Sequence, residues 1–208
     1  MLKPSLEEVK ALAKQYNTIP VFYEFSADNQ TPLNIYAALS KDSRNSFILE
    51  SVSNGVQWDR YSFVGVSPKE EICITGNTAE IRTGDKIETK EVEQPIAFLK
   101  ERMAAYRSPV LEGAPNFTGG LIGYFGYDTV RYMEKKLTHV PEDDIHMPDC
   151  HLFLYEELLA YDHLTSNGIV ILNLHTDGDL GAQYAAAQWR AEELADIVRH
   201  YNPQPQVR

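Results

Sequence analysis

The segment from residue 48 to 68 carries the side chains whose types best suit the binding of a small ligand. Glu50 has a carboxylate, Ser51 a hydroxyl and Arg60 a guanidinium, and they flank the turn signal Asn54-Gly55. On one hairpin these groups would suit an amino acid, because a carboxylate pairs with an ammonium group and a guanidinium with a carboxylate. Charged residues beside a hairpin are also ordinary surface features, so the residues alone leave both interpretations open.

Two other segments have some features of chemical motifs without fitting them. GGLIGYFGYD (119–128) is rich in glycine, but it lacks the Lys-Ser/Thr ending of a P-loop, so we expect closely packed backbone there. The run from His139 to His151 contains seven His, Asp and Cys residues, yet Pro141 and Pro148 disfavour the spacing of a zinc site. We therefore predict a solvated connector rather than a metal site. No G-x-S-x-G elbow or cysteine nucleophile motif occurs, so no catalytic residue is predicted.

The composition is that of a soluble globular protein. Of 208 residues, 43% are hydrophobic and 24% are charged, with a formal net charge of -11. This charge repels phosphate backbones and anionic lipids, so we expect neither a nucleic-acid nor a membrane partner. No apolar run approaches the roughly 20 residues of a transmembrane helix, and the N-terminus lacks a secretory signal, which predicts a cytoplasmic protein. Only two cysteines occur, and we expect both to be buried free thiols.

The order of apolar runs and turn signals predicts the elements that position these groups. Helices are expected at 5–16, after Thr31, at 95–106 and from about residue 179, the last with Tyr184, Trp189, Leu194 and Ile197 near one face. Short runs between 46 and 92 predict antiparallel strands, and 151–163 with 167–176 predict a central hairpin. Local strand pairing with inserted helices favours an α+β fold, mainly antiparallel, in one domain spanning 1–208.

Four segments of the sequence resemble the N-terminal half of anthranilate synthase component I, the chorismate-using enzyme that opens tryptophan biosynthesis. They occur in the family's order and the likeness extends over nearly the whole chain, into YDHLTSNGIVILNL (161–174). The four are Leu49-Glu50-Ser51, RYSFVG (60–65), GGLIGYFGYD (119–128) with Arg131, and DDIHMPD (143–149).

The resemblance implies a regulatory site for L-tryptophan, the inhibitor of the family's enzymes. In the family the L-E-S strand belongs to the allosteric pocket, and the residues that open the second strand of the hairpin are its neighbours. The implied ligand-binding residues are Leu49, Glu50, Ser51, Arg60, Tyr61 and Ser62. GGLIGYFGYD resembles a structural element near the junction with the catalytic half, in agreement with the packing interpretation.

The resemblance also implies what lies outside these 208 residues. The family binds chorismate and Mg²⁺ in a C-terminal catalytic half, and takes ammonia from a glutamine amidotransferase subunit (component II). Because the sequence ends at Arg208, after what resembles the connecting helix, we expect no cofactor in this chain and no activity of the chain alone. An uncovered apolar boundary predicts self-association of the chain. Two alternatives remain: the N-terminal half of aminodeoxychorismate synthase, from folate synthesis, and a stand-alone amino-acid-binding module.

Overall fold

The computed structural model describes residues 1–50, 60–134, 136–137 and 145–203. Its helices are α1 (Leu6–Leu12), α2 (Pro32–Leu39), α3 (Pro95–Ala104), α4 (Leu180–Arg199) and a short 3-10 helix at Tyr127–Tyr132. Its strands are β1 (Thr18–Ser26), β2 (Ser46–Leu49), β3 (Tyr61–Val66), β4 (Glu70–Thr75), β5 (Thr78–Thr83), β6 (Lys86–Glu91), β7 (Gly120–Phe125), β8 (Cys150–Tyr155), β9 (Glu157–Asp162) and β10 (Asn167–His175).

The chain forms two compact units. Unit 1 comprises Met1–Ser67, Arg107–Gly119 and Glu156–Arg208, and unit 2 comprises Pro68–Tyr106 and Gly120–Tyr155. Each unit holds one five-stranded sheet, and the described strands pair antiparallel throughout. The predicted α+β fold, mainly antiparallel, is confirmed. The expectation of one domain stays a prediction, because compactness alone does not show which part folds independently. No described helix combines the length and apolar character needed to span a bilayer.

The sheet of unit 1 has the strand order β1-β10-β9-β3-β2. Strand β10 is buried over five consecutive residues, from Gly168 to Leu172, so both faces of the sheet are covered there. Helices α2 and α4 cover one face, where Ile35 and Val198 join a buried cluster with Val21, Val170 and other strand residues. On the opposite face the ring of Phe117, from the segment Arg107–Gly119, packs edge-on against Phe63 of β3, with centroids 5.4 Å apart.

Helix α4 uses small residues to approach the sheet. Its buried residues are Ala187, Ala191, Leu194, Ala195 and Val198. The predicted face was therefore partly wrong: Trp189 is 68% exposed and Ile197 41% exposed. An alanine stripe can lie closer to a sheet than bulky side chains can, and the helical period then turns Trp189 away from the core.

The helix starts follow the capping signals in the sequence. The Ser5 hydroxyl accepts a hydrogen bond from the Glu8 N–H at 3.4 Å, and the Glu8 carboxylate accepts one from the Ser5 N–H at 2.8 Å, which forms a capping box. Thr31 caps α2 and Asp179 caps α4 through their side-chain oxygens. The predicted ends were too long for two helices, since α1 ends at Leu12 and α3 at Ala104.

The sheet of unit 2 has the order β6-β5-β4-β8-β7 and a smaller core. Helix α3 covers one face, with Leu99 packed among Ile72, Ile81 and Leu152. Strand β5 alternates buried and exposed residues in its first four positions, as expected for a sheet with one buried face.

The predicted central hairpin needs a correction. The run 151–163 is not one strand: β8 ends at Tyr155 in unit 2, and β9 begins at Glu157 in unit 1. Only β9 pairs with β10, through contacts such as Ala160 opposite Ile169. The apolar run continues across the break because the strands on both sides of it supply buried residues to their own sheets, so hydropathy alone does not mark the boundary.

Candidate functional site

Strands β2 and β3 bring predicted site residues to one end of the sheet of unit 1. Leu49 ends β2, an edge strand, and lies opposite Phe63 of β3. Glu50 follows Leu49 and is exposed, while Arg60 directly precedes β3. The antiparallel pairing therefore places Glu50 and Arg60 at the same end of the two strands. Ser51 lies outside the described residues, so its contribution to the site stays a prediction.

Arg60 forms a bidentate ion pair with Asp162, the last residue of β9. Arg60 Nε lies 3.0 Å from Asp162 Oδ1, and Arg60 Nη2 lies 2.7 Å from Asp162 Oδ2. The Asp162 side chain is 3% exposed, whereas the Arg60 side chain is 46% exposed. The buried carboxylate therefore holds one side of a guanidinium whose other side reaches solvent.

The surroundings of Asp162 keep its carboxyl charged. Burial favours the neutral form, but hydrogen bonds from Arg60, from the Leu164 N–H at 3.0 Å and from the Thr165 hydroxyl outweigh it, and they hold the pKa of Asp162 below its usual value. The bond to Asp162 in turn raises the pKa of Arg60. At neutral pH the pair is fully ionised, with a fixed geometry.

Tyr61 supplies an aromatic surface beside this ion pair. Its Cα partner across the sheet is Asp162, so both side chains share one face. The Arg60 guanidinium carbon lies 5.0 Å from the centre of the Tyr61 ring, within the range of a cation–π contact. The Phe63 ring follows on the same face, 6.2 Å from the Tyr61 ring. An exposed cation beside aromatic rings is suited to a ligand that has both a carboxylate and an apolar part.

Ser62 occupies a different environment from its neighbours. It is 1% exposed, and its hydroxyl lies 2.7 Å from Nε2 of His163. The His163 ring packs edge-on against Tyr161, with centroids 5.1 Å apart. In this arrangement Ser62 supports the end of the sheet and is not exposed to a ligand arriving from solvent.

Asp162 and His163 were missed in the sequence analysis. The signal that could have found them is the YDH triplet (161–163), where an apolar strand ends in a charged residue. A carboxylate at the end of an apolar strand requires a partner if it is buried, and Arg60 was the cation already assigned to the same region. Distance along the chain hid the pair, since 102 residues separate its members.

The glycine-rich segment is a tightly packed strand, as predicted. A Cβ atom added at Gly123 of β7 would lie 2.0 Å from the carbonyl oxygen of His151, and one at Gly126 would lie 3.1 Å from that of Asp149. The neighbouring backbone thus leaves no room for a side chain at Gly123, and at Gly126 it would have to shift slightly. The missing side chain at Gly123 allows strand β7 to lie close to strand β8.

The described part of the His/Asp/Cys run is engaged in protein contacts. Asp149 Oδ2 accepts hydrogen bonds from the Gly76 N–H and the Tyr132 hydroxyl, both at 2.6 Å, and His151 Nε2 lies 2.7 Å from Glu71. In the part of the chain that the structure describes, no group of three His, Cys, Asp or Glu side chains is arranged to hold a metal ion. Residues 138–144 fall outside that part.

The two cysteines are free, and they differ in burial. Cys150 is buried, as expected, but Cys73 is only partly buried, which corrects the expectation of two buried thiols. Burial raises the pKa of the Cys150 thiol to about 11, and it also raises that of Cys73. Both groups are therefore protonated and poorly nucleophilic at neutral pH.

A cavity of unit 1 adjoins this end of the sheet. Its volume is about 850 Å³, and its lining includes Phe22, Glu24, Asn167 and Ile169. Asn167 is the Cα partner of Asp162 on the neighbouring strand, so the cavity begins one strand away from the carboxylate that holds Arg60. Of the six predicted site residues, the five that the structure describes do not line the cavity itself. The site residues and the cavity are thus neighbours on one sheet.

Comparison with known proteins identifies the family. The model of a family described as chorismate binding enzyme matches residues 61–207, more than half of the chain. The chain belongs to this family. All of unit 2 falls within the matched residues, as do residues 61–67, 107–119 and 156–207 of unit 1, which include Asp162, the partner of Arg60.

The relatives of this chorismate-binding family member include several anthranilate synthases. Anthranilate synthase component 1 of Acetivibrio thermocellus is 38% identical over 194 residues, which are 93% of this chain and 39% of the relative. That of Pseudomonas aeruginosa is 37% identical over 196 residues, with the same coverage of both chains. The crystal structure of anthranilate synthase component I from Streptococcus pneumoniae matches with a TM-score of 0.52 and 25% identity, over 85% of this chain and 36% of that one.

These findings confirm the resemblance to anthranilate synthase component I. The chain spans about two fifths of the length of the curated relatives it matches. The activity, substrates and partners of the whole enzyme are accordingly proposals for this chain.

Proposed function

We propose that this chain is the tryptophan-sensing part of an anthranilate synthase component I. The whole enzyme would convert chorismate and glutamine or ammonia to anthranilate and pyruvate, the first committed step of tryptophan biosynthesis. L-Tryptophan would inhibit it by binding at Leu49, Glu50, Ser51, Arg60 and Tyr61, with the buried Ser62 behind them. The observation that carries this proposal is the ionised, half-exposed Arg60, which lies beside Tyr61 at the same strand end as Glu50. The chain that holds this arrangement is similar to anthranilate synthase component 1.

The chemistry of the described residues supports recognition of an amino acid. Arg60 can pair with the ligand's carboxylate, and Glu50 can pair with its ammonium group. Tyr61 and the exposed Leu49, 45% accessible, offer apolar contacts for an indole ring. Ser62 is buried and bonded to His163, so we assign it an indirect role that holds the strand on which Tyr61 lies.

The remaining functions of the enzyme are assigned to other parts of it. Chorismate and Mg²⁺ would bind in the catalytic half, and component II would supply ammonia from glutamine. The described residues include no three-ligand metal cluster, so no Mg²⁺ role is derived for them. Because these functions belong to other parts of the enzyme, the chain alone is expected to be inactive. We also expect the enzyme to be cytoplasmic.

Calorimetric titration with L-tryptophan tests the sensing role. The indole would have only part of its walls in this chain, so we expect a Kd no tighter than the order of 1 mM, and much tighter binding by the complete component I. Arg60→Ala and Glu50→Ala should each weaken binding on the order of tenfold. Arg199→Ala is the matched control, because Arg199 also pairs with an aspartate and lies over an aromatic ring, that of Phe25.

Two outcomes would contradict this proposal. If Arg60→Ala and Arg199→Ala changed tryptophan affinity equally, the loss would reflect general charge and not a site at the hairpin end. If the complete enzyme kept unchanged inhibition after Glu50→Ala and Ser51→Ala, the L-E-S strand would not belong to the regulatory site.

Anthranilate fluorescence tests the expected inactivity. The purified chain with chorismate, ammonia and Mg²⁺ should produce no signal above a no-protein control. Because the family match covers residues 61–207, chorismate should also be titrated directly into the chain. Anthranilate formation by the chain alone would overturn the assignment of catalysis to another part of the enzyme.

Light scattering tests the predicted self-association. Trp189 is 68% exposed and lines a small surface groove with Ile197 on α4. Trp189→Ser should lower the apparent mass at a given concentration if this surface contributes. A monomer at every concentration of the unaltered chain would contradict the prediction.

A further inference from the structure

We infer that Asp162 is the positioning residue of the tryptophan site, because it binds one edge of the Arg60 guanidinium and leaves the edge of Nη1 and Nη2 for the ligand's carboxylate. This inference rests on the proposed function, in which Arg60 binds that carboxylate. It adds a residue that neither the motifs nor the resemblance selected. Asp162 would act through Arg60 without touching the ligand.

Several contacts fix the Arg60 guanidinium. Asp162 binds it through two hydrogen bonds of 3.0 and 2.7 Å, and the Tyr61 ring lies beneath it at 5.0 Å. The backbone is fixed as well, since the Arg60 carbonyl accepts a hydrogen bond from the His163 N–H at 2.8 Å. Few of the guanidinium's rotational states are therefore left to be lost when a ligand binds, which lowers the entropic cost of binding.

The atoms used by Asp162 determine which part of Arg60 is left for a ligand. A guanidinium has two forks that can each bind a carboxylate, one formed by Nε and Nη2 and the other by Nη1 and Nη2. The contact with Asp162 uses the N–H of Nε and one N–H of Nη2. The other fork, formed by Nη1 and the second N–H of Nη2, takes no part in this contact. A second carboxylate can bind at that fork with two parallel hydrogen bonds.

The burial of Asp162 distinguishes this pair from an ordinary surface ion pair. Its side chain is 3% exposed, and the Leu164 N–H binds Oδ1 at 3.0 Å, so the carboxylate itself is held in place. Arg199 and Asp196 on α4 also form an arginine–aspartate pair, but through a single contact of 3.1 Å, and the Asp196 side chain is 63% exposed. Exposed pairs exchange partners freely, whereas Asp162 can hold Arg60 in one orientation.

The preference for L-tryptophan over L-tryptophanamide measures this positioning. The amide keeps the indole and the ammonium group but lacks the charged carboxylate, so its binding does not depend on the free fork of Arg60. Titrations followed by NMR detect binding in the millimolar range. We expect the unaltered chain to prefer tryptophan on the order of tenfold, and Asp162→Asn to reduce this preference to about twofold or less. Asp196→Asn is the matched control and should leave the preference unchanged.

Arg60→Lys gives a second test if Asp162→Asn disturbs folding, which circular dichroism would reveal. Lysine keeps the charge but cannot form the bidentate pair, so the preference should fall to a similar value. An undiminished preference in a folded Asp162→Asn chain, or in Arg60→Lys, would overturn the positioning role and leave the proposed site intact. No preference in the unaltered chain, or an undiminished one in Arg60→Ala, would overturn the site and this inference together.

Discussion

The two sheets have equal numbers of strands and the same antiparallel pairing, but they are buried differently. In unit 1, β10 is buried at consecutive positions and two helices with well-defined caps pack on the sheet. In unit 2, β5 alternates buried and exposed residues, and α3 covers one face. Because the sheet of unit 1 is covered on both faces, a charged residue at its end, such as Asp162, can be buried. There it can hold its partner Arg60 in place.

Core truncation should affect unit 1 more than unit 2. Leu159→Ala in β9 removes a side chain that is 2% exposed within the larger core, and we expect a loss of about 4 kcal/mol in unfolding free energy. Ile81→Ala in β5, 3% exposed, should cost about 2 to 3 kcal/mol, because the smaller core has fewer fixed neighbours and can relax. Hydrogen exchange of amides in each sheet measures both values. An equal or larger loss for Ile81→Ala would break the comparison.

Close backbone approach should matter more in unit 2. Gly123→Ala would place Cβ 2.0 Å from a backbone oxygen, which cannot move without separating β7 from β8, and we expect a loss on the order of 3 kcal/mol. Gly65→Ala in unit 1 meets the half-buried ring of Phe47 on the edge strand β2, and a ring can turn aside at a cost of about 1 kcal/mol. Urea denaturation followed by circular dichroism compares the two variants. Similar midpoints would show that β7 can shift as easily as Phe47.

Acid should weaken unit 1 through Asp162. Its pKa is lower in the folded chain than the usual value near 3.8, so its stabilisation is complete above about pH 4 and is lost as the pH falls through the folded pKa. We expect Asp162→Asn to cost about 2 kcal/mol at pH 7, with a smaller difference from the unaltered chain at pH 2 to 3. Thermal melting at several pH values measures this trend. A constant difference across the acid range would contradict the ionised pair as the source.

Helix capping offers the smallest test. The N-cap residue of helix α3 in unit 2, Gln94, makes no side-chain capping bond, whereas Thr31 caps α2 through its side chain. Gln94→Asp should stabilise unit 2 by about 0.5 kcal/mol, and Thr31→Ala should destabilise unit 1 by about 1 kcal/mol. Melting temperatures of the two variants should therefore shift in opposite directions. If Gln94→Asp destabilised the chain instead, the Gln94 side chain would stabilise unit 2 through packing and not through capping.

Local signals in the sequence determined the element types and much of the candidate site. Capping residues, turn pairs and alternating strands predicted α1, α2, α4 and the hairpins of unit 2, because these features depend on neighbours within a few positions. The ligand chemistry of Glu50 and Arg60 was visible because both flank one turn, and the spacing of the glycines indicated the close packing found at Gly123.

Only the tertiary structure decided how these elements combine. It divided one apolar run between β8 and β9, since buried strands of two sheets look alike in hydropathy. It turned Trp189 outward, because alanines of α4 pack closer to the sheet. It also joined Arg60 to Asp162 across 102 residues, a pairing set by strand order and register, which local sequence does not encode.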